Sequence, residues 1–208
     1  MPEGTALADR RRTQEERSQE TQERILRGAL ACISLNGLQR TSTHDIARKA
    51  EVSRGALLHH YPTRASLLEA AFSLLLDEEI DRISEFSETL SRDGSAIGVL
   101  IDFIRERYSG PLFYVTLDYL ALARVDEETM AAVMPGSTRY IEKLATLWDK
   151  CLAEVPLSAE RKNALMDQTM LLIRGMSFQK IWRDDPTYFD AILRDWTDQL
   201  RRQLSTPE

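Results

Sequence analysis

The stretch 41–68, "TSTHDIARKAEVSRGALLHHYPTRASLL", holds every histidine of the chain: His44, His59 and His60. Its punctuation is that of helix starts. Ser42 precedes Thr43-His44-Asp45, so a hydroxyl stands at an N-cap and an acid at the N3 position of a capping box. Ile46, Ala47 and Ala50 give the helix that follows one apolar face. Ser53 opens a second short helix, with Ala56, Leu57 and Leu58 as its apolar side. Pro62-Thr63 ends that helix and caps a longer one through Leu67, Leu68, Ala71, Phe72 and Leu75. Two short helices joined by a turn of about three residues predict a helix-turn-helix. In that motif the second helix enters the DNA major groove, with its N-terminal residues at the base edges.

The histidine cluster then has a physical reading. His44 lies in the first turn of the supporting helix, where the chain crosses phosphates. His59 and His60 lie on the later part of the recognition helix. Imidazole donates to phosphate or accepts from a base, and a polyanion favours its charged form. Successive helical residues point about 100° apart, so the pair cannot do one job. His60 is placed toward DNA, and His59 toward DNA or the interior of the small domain.

The same residues resemble the DNA-binding signature of the TetR family of bacterial regulators. The resemblance rests on Thr41-Ser42, Asp45-Ile46-Ala47, Ala50, Val52-Ser53, Gly55, Leu57, His60-Tyr61, Arg64 and Leu67, and covers roughly residues 20 to 68. It implies an all-α chain: a three-helix DNA-binding domain with the helix-turn-helix, then a roughly six-helix ligand-binding and dimerisation domain. It also implies roles. Ser42 and Thr43 would contact phosphate at the start of the supporting helix. Ser53, Arg54, Gly55 and Ala56 would open the recognition helix, with Arg54 reading a guanine or gripping a phosphate. Tyr61 would hold phosphate through its hydroxyl, and Arg64 would do so where the family usually has lysine. Gly55 costs about 1 kcal/mol in a helix relative to alanine; close approach to the DNA backbone or helix–helix packing would explain it. Two residues depart from the family's pattern. Glu51 stands in the turn where the family prefers glycine, which demands a less favoured backbone conformation or a reshaped turn. Leu58 stands where the family usually has a tyrosine that touches DNA.

Charge agrees with one DNA-facing end. The 208 residues carry a net charge of −6, yet residues 1–64 hold 11 Lys/Arg against 8 Asp/Glu. Residues 1–18 have no apolar face and predict a flexible arm, whose Arg10-Arg11-Arg12 either reaches a minor groove and phosphates or serves as a solubilising tail. Residues 19–64 are the expected DNA-binding domain, and 65–208 the effector-binding and dimerisation domain. No apolar run approaches the ~18 residues that span a bilayer, and the polar N-terminus is unlike a signal peptide, so the expected compartment is the cytoplasm. Cys32 and Cys151 are then expected as free thiols. No Cys/His pair has chelating spacing, so neither metal nor cofactor is expected.

Beyond Arg64 the hydropathy pattern predicts helices near 64–88, 94–109, 111–126, 128–155, 158–183 and 187–205. Pro135-Gly136 predicts a kink or break, and Thr187 is the expected cap of the last helix. Nothing alternates with period two. The last two helices predict a homodimer through Gly175, Met176, Phe189, Ile192, Trp196 and Leu200, a paired-helix bundle, unless the chain's own core consumes those stripes. Phe86, Phe103, Tyr114, Trp148, Met166, Met170 and Phe178 are adaptable side chains suited to an apolar effector site. Asp118 and Arg174 are its candidate polar groups, Arg174 pairing with Asp118, with an anionic ligand or across a dimer.

An enzyme is disfavoured by the absence of histidine outside the motif, of a phosphate-cradling glycine loop and of carboxylate–histidine metal spacing. The expected partners are a double-stranded operator with an inverted repeat, a small effector and a second copy of the chain. The expected function is a repressor released by a mostly apolar ligand. The alternative is a DNA-binding regulator without an effector, constitutive or controlled by a protein partner.

Overall fold

The structure, a computed structural model, describes residues 14–205. Among them the chain forms nine helices and no strand: α1 (Gln14–Asn36), α2 (Thr43–Lys49), α3 (Arg54–His60), α4 (Arg64–Glu88), α5 (Ile97–Arg107), α6 (Pro111–Ala123), α7 (Glu127–Cys151), α8 (Ala159–Gln179) and α9 (Pro186–Ser205). The fold is all-α, as the periodicity predicts. Residues 14–18, expected in the arm, are the first turns of α1. Arg10-Arg11-Arg12 lie outside the described residues.

The chain divides into two compact units, the first ending at Ala71 and the second starting at Phe72, within α4. The first unit is built as the capping pattern dictates. Gly37, at φ 79°, closes α1 by donating to the Ile33 carbonyl, the left-handed end that glycine adopts at least cost. The Ser42 hydroxyl accepts from the Asp45 amide and donates to its carboxylate. The Ser53 hydroxyl accepts from the Ala56 amide. Thr63 and Ser66 cap α4 reciprocally, each hydroxyl accepting from the other's amide. Ile25, Ala29 and Cys32 of α1 pack with Ile46, Ala47, Ala50, Leu57, Leu67 and Ala71. Each large aliphatic side chain so buried contributes roughly 1.5–3 kcal/mol. Leu67 and Ala71 carry this core beyond the boundary at 64 drawn from the sequence.

In the second unit α5 packs on α6, α8 and α9, and α7 packs on α6 and α8. Three helices stop earlier than their hydropathy. Val125, Val155 and Ile181 extend the apolar pattern, but their amides bond three residues back, to Leu122, Leu152 and Phe178, so the chain there is a turn and not α-helix. Of the kink or break expected at Pro135, there is no break: α7 continues through it as one helix. Val133, Gly136 and Tyr140 are buried around the proline, and that packing outweighs the one lost backbone bond. The cap of α9 is Asp185 instead of Thr187. Its carboxylate accepts from the Tyr188 amide, with Pro186 at the first helical position.

Candidate nucleic-acid interface

Leu57, fully buried, anchors α3 to the first unit. That anchor turns the opposite arc outward. Arg54, Gly55 and His59 are exposed, and Leu58 is exposed as well, so it is not part of the apolar side assigned to it. Ala56, His60 and Tyr61 are half-buried. The rings of His59 and His60 meet edge to face, 5.4 Å apart. On α2, Ser42 and His44 are exposed and Thr43 is half-buried. Ser53 is exposed at the head of α3. The helix-turn-helix thus presents polar and cationic groups where α2 and α3 begin.

Gly55 is free of intramolecular crowding. A Cβ there would meet only the Ser53 hydroxyl oxygen, at 3.9 Å. Packing within the unit therefore does not require this glycine.

The turn between α2 and α3 is held from behind. Glu51 adopts φ 54°, the left-handed conformation expected of a residue in the family's glycine position. Arg24, on α1, donates from one terminal nitrogen to the carbonyls of Ala50 and Glu51, at 2.6 and 2.8 Å. Sequence reasoning missed Arg24, because only the folded chain brings it to a turn some 26 residues away. Arg64 also has a task inside the unit. Its guanidinium donates through Nε to the Thr41 carbonyl at 3.1 Å and through a terminal nitrogen to the Leu38 carbonyl. It braces the loop that precedes α2.

Ionisation is set locally. The Ser42 hydroxyl bond holds the Asp45 carboxyl below the usual range, with help from Arg48. Burial pushes the Tyr61 phenol up, so it remains a neutral donor.

In the second unit the candidate effector residues scatter in environment. Phe86 and Phe103 stack at 4.1 Å. Met166 and Met170 are buried. Trp148 is 1 % exposed and donates its indole N–H to the Lys162 carbonyl, which makes it a core residue of the α7–α8 contact. Tyr114 and Phe178 lie on the surface, and Asp118 is half-buried. Arg174 finds Tyr108: it donates to the phenol oxygen at 3.1 Å and lies over the ring at 5.3 Å. Two polar residues that sequence reasoning passed over, Glu79 and Tyr140, are buried within the same unit. Each interrupts an apolar stripe, Leu75-Leu76-Ile83 and Val133-Leu144-Leu147. That interruption was the available signal.

The candidate interface residues divide as well. Met176, Phe189 and Leu200 are buried in the core of the single chain. Ile192 is half-buried, as is Trp196, whose indole N–H donates to the Thr169 hydroxyl at 3.0 Å. Gly175 is exposed, with nothing near the position a Cβ would take. Leu171 and Phe178 stand at the same face of α8, 69 % and 48 % exposed, and Trp182 follows in the turn beyond.

A helix-turn-helix unit followed by a larger helical unit is an architecture found among DNA-binding transcriptional regulators. Residues 25–71 match the family described as "Bacterial regulatory proteins, tetR family". Residues 25–71 thus carry the DNA-binding signature of that family. It is 27 % identical over 201 residues to the HTH-type transcriptional regulator CymR of Pseudomonas putida, spanning 95 % of this chain and 97 % of that one. Among solved structures it resembles a putative transcriptional regulator of Saccharomonospora viridis in complex with choline, with TM-score 0.72 and 18 % identity over 88 % of this chain and 96 % of that one. It also resembles a putative TetR-family regulator of Mesorhizobium loti, with TM-score 0.70 and 16 % identity over 90 % and 96 % of the two chains. Proteins of this family are transcription factors and not enzymes.

Proposed function

We propose that this chain is a homodimeric repressor that binds an inverted-repeat operator and leaves it when a small, mostly apolar ligand enters the second unit. The observation that carries the DNA half is Gly55, a glycine kept at the exposed head of α3 where nothing within the unit needs it. Beside it the exposed Arg54 supplies the charge for a guanine edge or a phosphate. The effector half is supported by a second unit with buried methionines and polar groups, and the apolar character of the ligand by the methionines; a protein of similar fold, crystallised with choline, supports only that such a fold can hold a small molecule. Release follows if the ligand binds the state that does not hold DNA more tightly, by about 1–3 kcal/mol for a typical coupling.

The test is selection of bound sequences from a random duplex pool, followed by titration of the winner at several salt concentrations. An inverted repeat should emerge, with half-sites about 34–36 Å apart or somewhat more. Arg54→Ala should either reduce the salt slope by about one unit, as a phosphate contact does, or relax one base position, as a guanine contact does. Arg64→Ala is the poorer test, because it also strips donors from the loop before α2. Failure of the wild-type chain to enrich any sequence refutes the DNA reading.

A further inference from the structure

The α4 and α7 helices approach closely at Gly136, where a Cβ would come within 2.9 Å of the Leu76 side chain. One turn further along each helix stand Glu79 and Tyr140, both only 4 % exposed. One carboxylate oxygen of Glu79 is ion-paired with Arg82, but the other, Oε2, has no hydrogen-bond partner. The Tyr140 hydroxyl also lacks a hydrogen bond of ordinary geometry. Beside it lies the Tyr108 hydroxyl from the end of α5, which accepts from Arg174 of α8. Burial, and then Tyr108 and Glu79, push the Tyr140 phenol well above its usual pKa, while Arg174 opposes them. Tyr140 is therefore a neutral hydroxyl between a carboxylate and a guanidinium.

Buried polar atoms without partners cost stability, and native chains carry few of them. Here one acceptor and one hydroxyl are left open on facing helices. One turn away the surroundings are apolar: Leu75 and Ile83 flank Glu79, Leu144 follows Tyr140, and Met170 precedes Arg174. Charge then selects among possible occupants. An anionic head group would face Glu79, and a cationic one would face Arg174. A neutral hydroxyl meets neither objection: it can donate to Glu79 Oε2 while accepting from Tyr140. We propose that Glu79 and Tyr140 form the polar end of the effector site and take the hydroxyl of a neutral, otherwise apolar alcohol or phenol. The proposal deepens the effector reading above and rests on it.

Three probes with one apolar body test the choice by calorimetry on the full chain: 2-naphthol, 2-naphthoate and 2-naphthylmethylammonium. The naphthol should bind at least about tenfold tighter than either charged analogue, and Tyr140→Phe should weaken it by about tenfold. The ligand-free Tyr140→Phe chain should melt close to the wild-type temperature, since its hydroxyl loses only a contact with Tyr108 that falls short of ordinary hydrogen-bond geometry. Naphthol binding that is absent, no tighter than that of the charged analogues, or unchanged in Tyr140→Phe overturns the proposal. So does a fall of more than about 5 °C in the melting temperature of the ligand-free variant, which would mark a structural hydroxyl. Operator release is read separately by gel shift. Naphthol that binds with the expected ranking yet leaves the operator complex intact supports the subsite and refutes the effector reading alone.

Discussion

Gly55 separates folding from function at the scale of one residue. It lies in the first turn of α3, where alanine is the better helix former and the space for a Cβ is open. Gly55→Ala should therefore leave the free chain folded and raise its stability by up to about 1 kcal/mol. The added methyl would stand on the outer face of α3, so operator affinity should fall tenfold or more where the DNA backbone comes close. Thermal melting and a binding titration on the same preparation check both. A variant that is stabilised and binds DNA unchanged would remove Gly55 from the interface. At this scale the sequence was legible wherever a residue's job is local. Ser42, Ser53 and Gly37 each act on atoms within four residues, and each does what its type and position dictate. The strain at Glu51 was legible for the same reason. Arg24, Arg64 and Tyr140 were not, because their partners are distant in sequence and adjacent only after folding.

Helix type and number were legible because cap and turn residues bound the segments and apolar residues recur at helical spacing in most of them, α9 above all; helix ends were less so. Hydropathy does not tell a last helical turn from a tighter one, which is why 123, 151 and 179 fell short of the pattern. Nor does it tell a stripe that faces the chain's own core from one that faces outward: both readings were open for α9, and Phe189 and Leu200 are buried in the single chain. Caps carry a testable consequence. Asp126 caps α7, accepting from the Thr129 amide and from its hydroxyl, and those bonds hold its carboxyl below the usual range. A carboxyl with a depressed folded-state pKa contributes stability that is present above its unfolded value, near 3.9, and is lost as pH falls through the folded value. The wild-type chain should therefore lose stability faster than Asp126→Asn as pH drops below about 4. Denaturant midpoints at pH 6 and pH 3.5 check this. An equal loss in both proteins would mean that the cap carries no ionic contribution.

At the scale of the whole molecule the proposed homodimer requires a surface that joins two copies. On α8, Leu171, Gly175 and Phe178 recur at helical spacing on one face, and Trp182 packs edge to face on Phe178, 5.1 Å away. Such a stripe is costly to leave in water, and the bare Gly175 lets a second helix come near. A two-fold axis through this face would lay α8 against its own copy, an isologous contact. Phe178→Glu should then yield monomers by sedimentation with helix content retained, since the side chain is 48 % exposed in the single chain. Trp196→Glu would be ambiguous, because it also breaks the bond to Thr169. Ile141→Glu is the control: it places the same charge on an α7 residue that is 47 % exposed and outside the stripe, and should leave the dimer intact. The consequence reaches DNA. A monomer contacts one half-site, so the salt slope on the full operator should fall to about half. Affinity should fall by about 10²–10⁴-fold, because the second half-site is no longer bound intramolecularly. A Phe178→Glu chain that still sediments at twice the monomer mass would exclude this stripe as the interface. One that is monomeric but keeps the full salt slope would show that the operator is read by one chain alone.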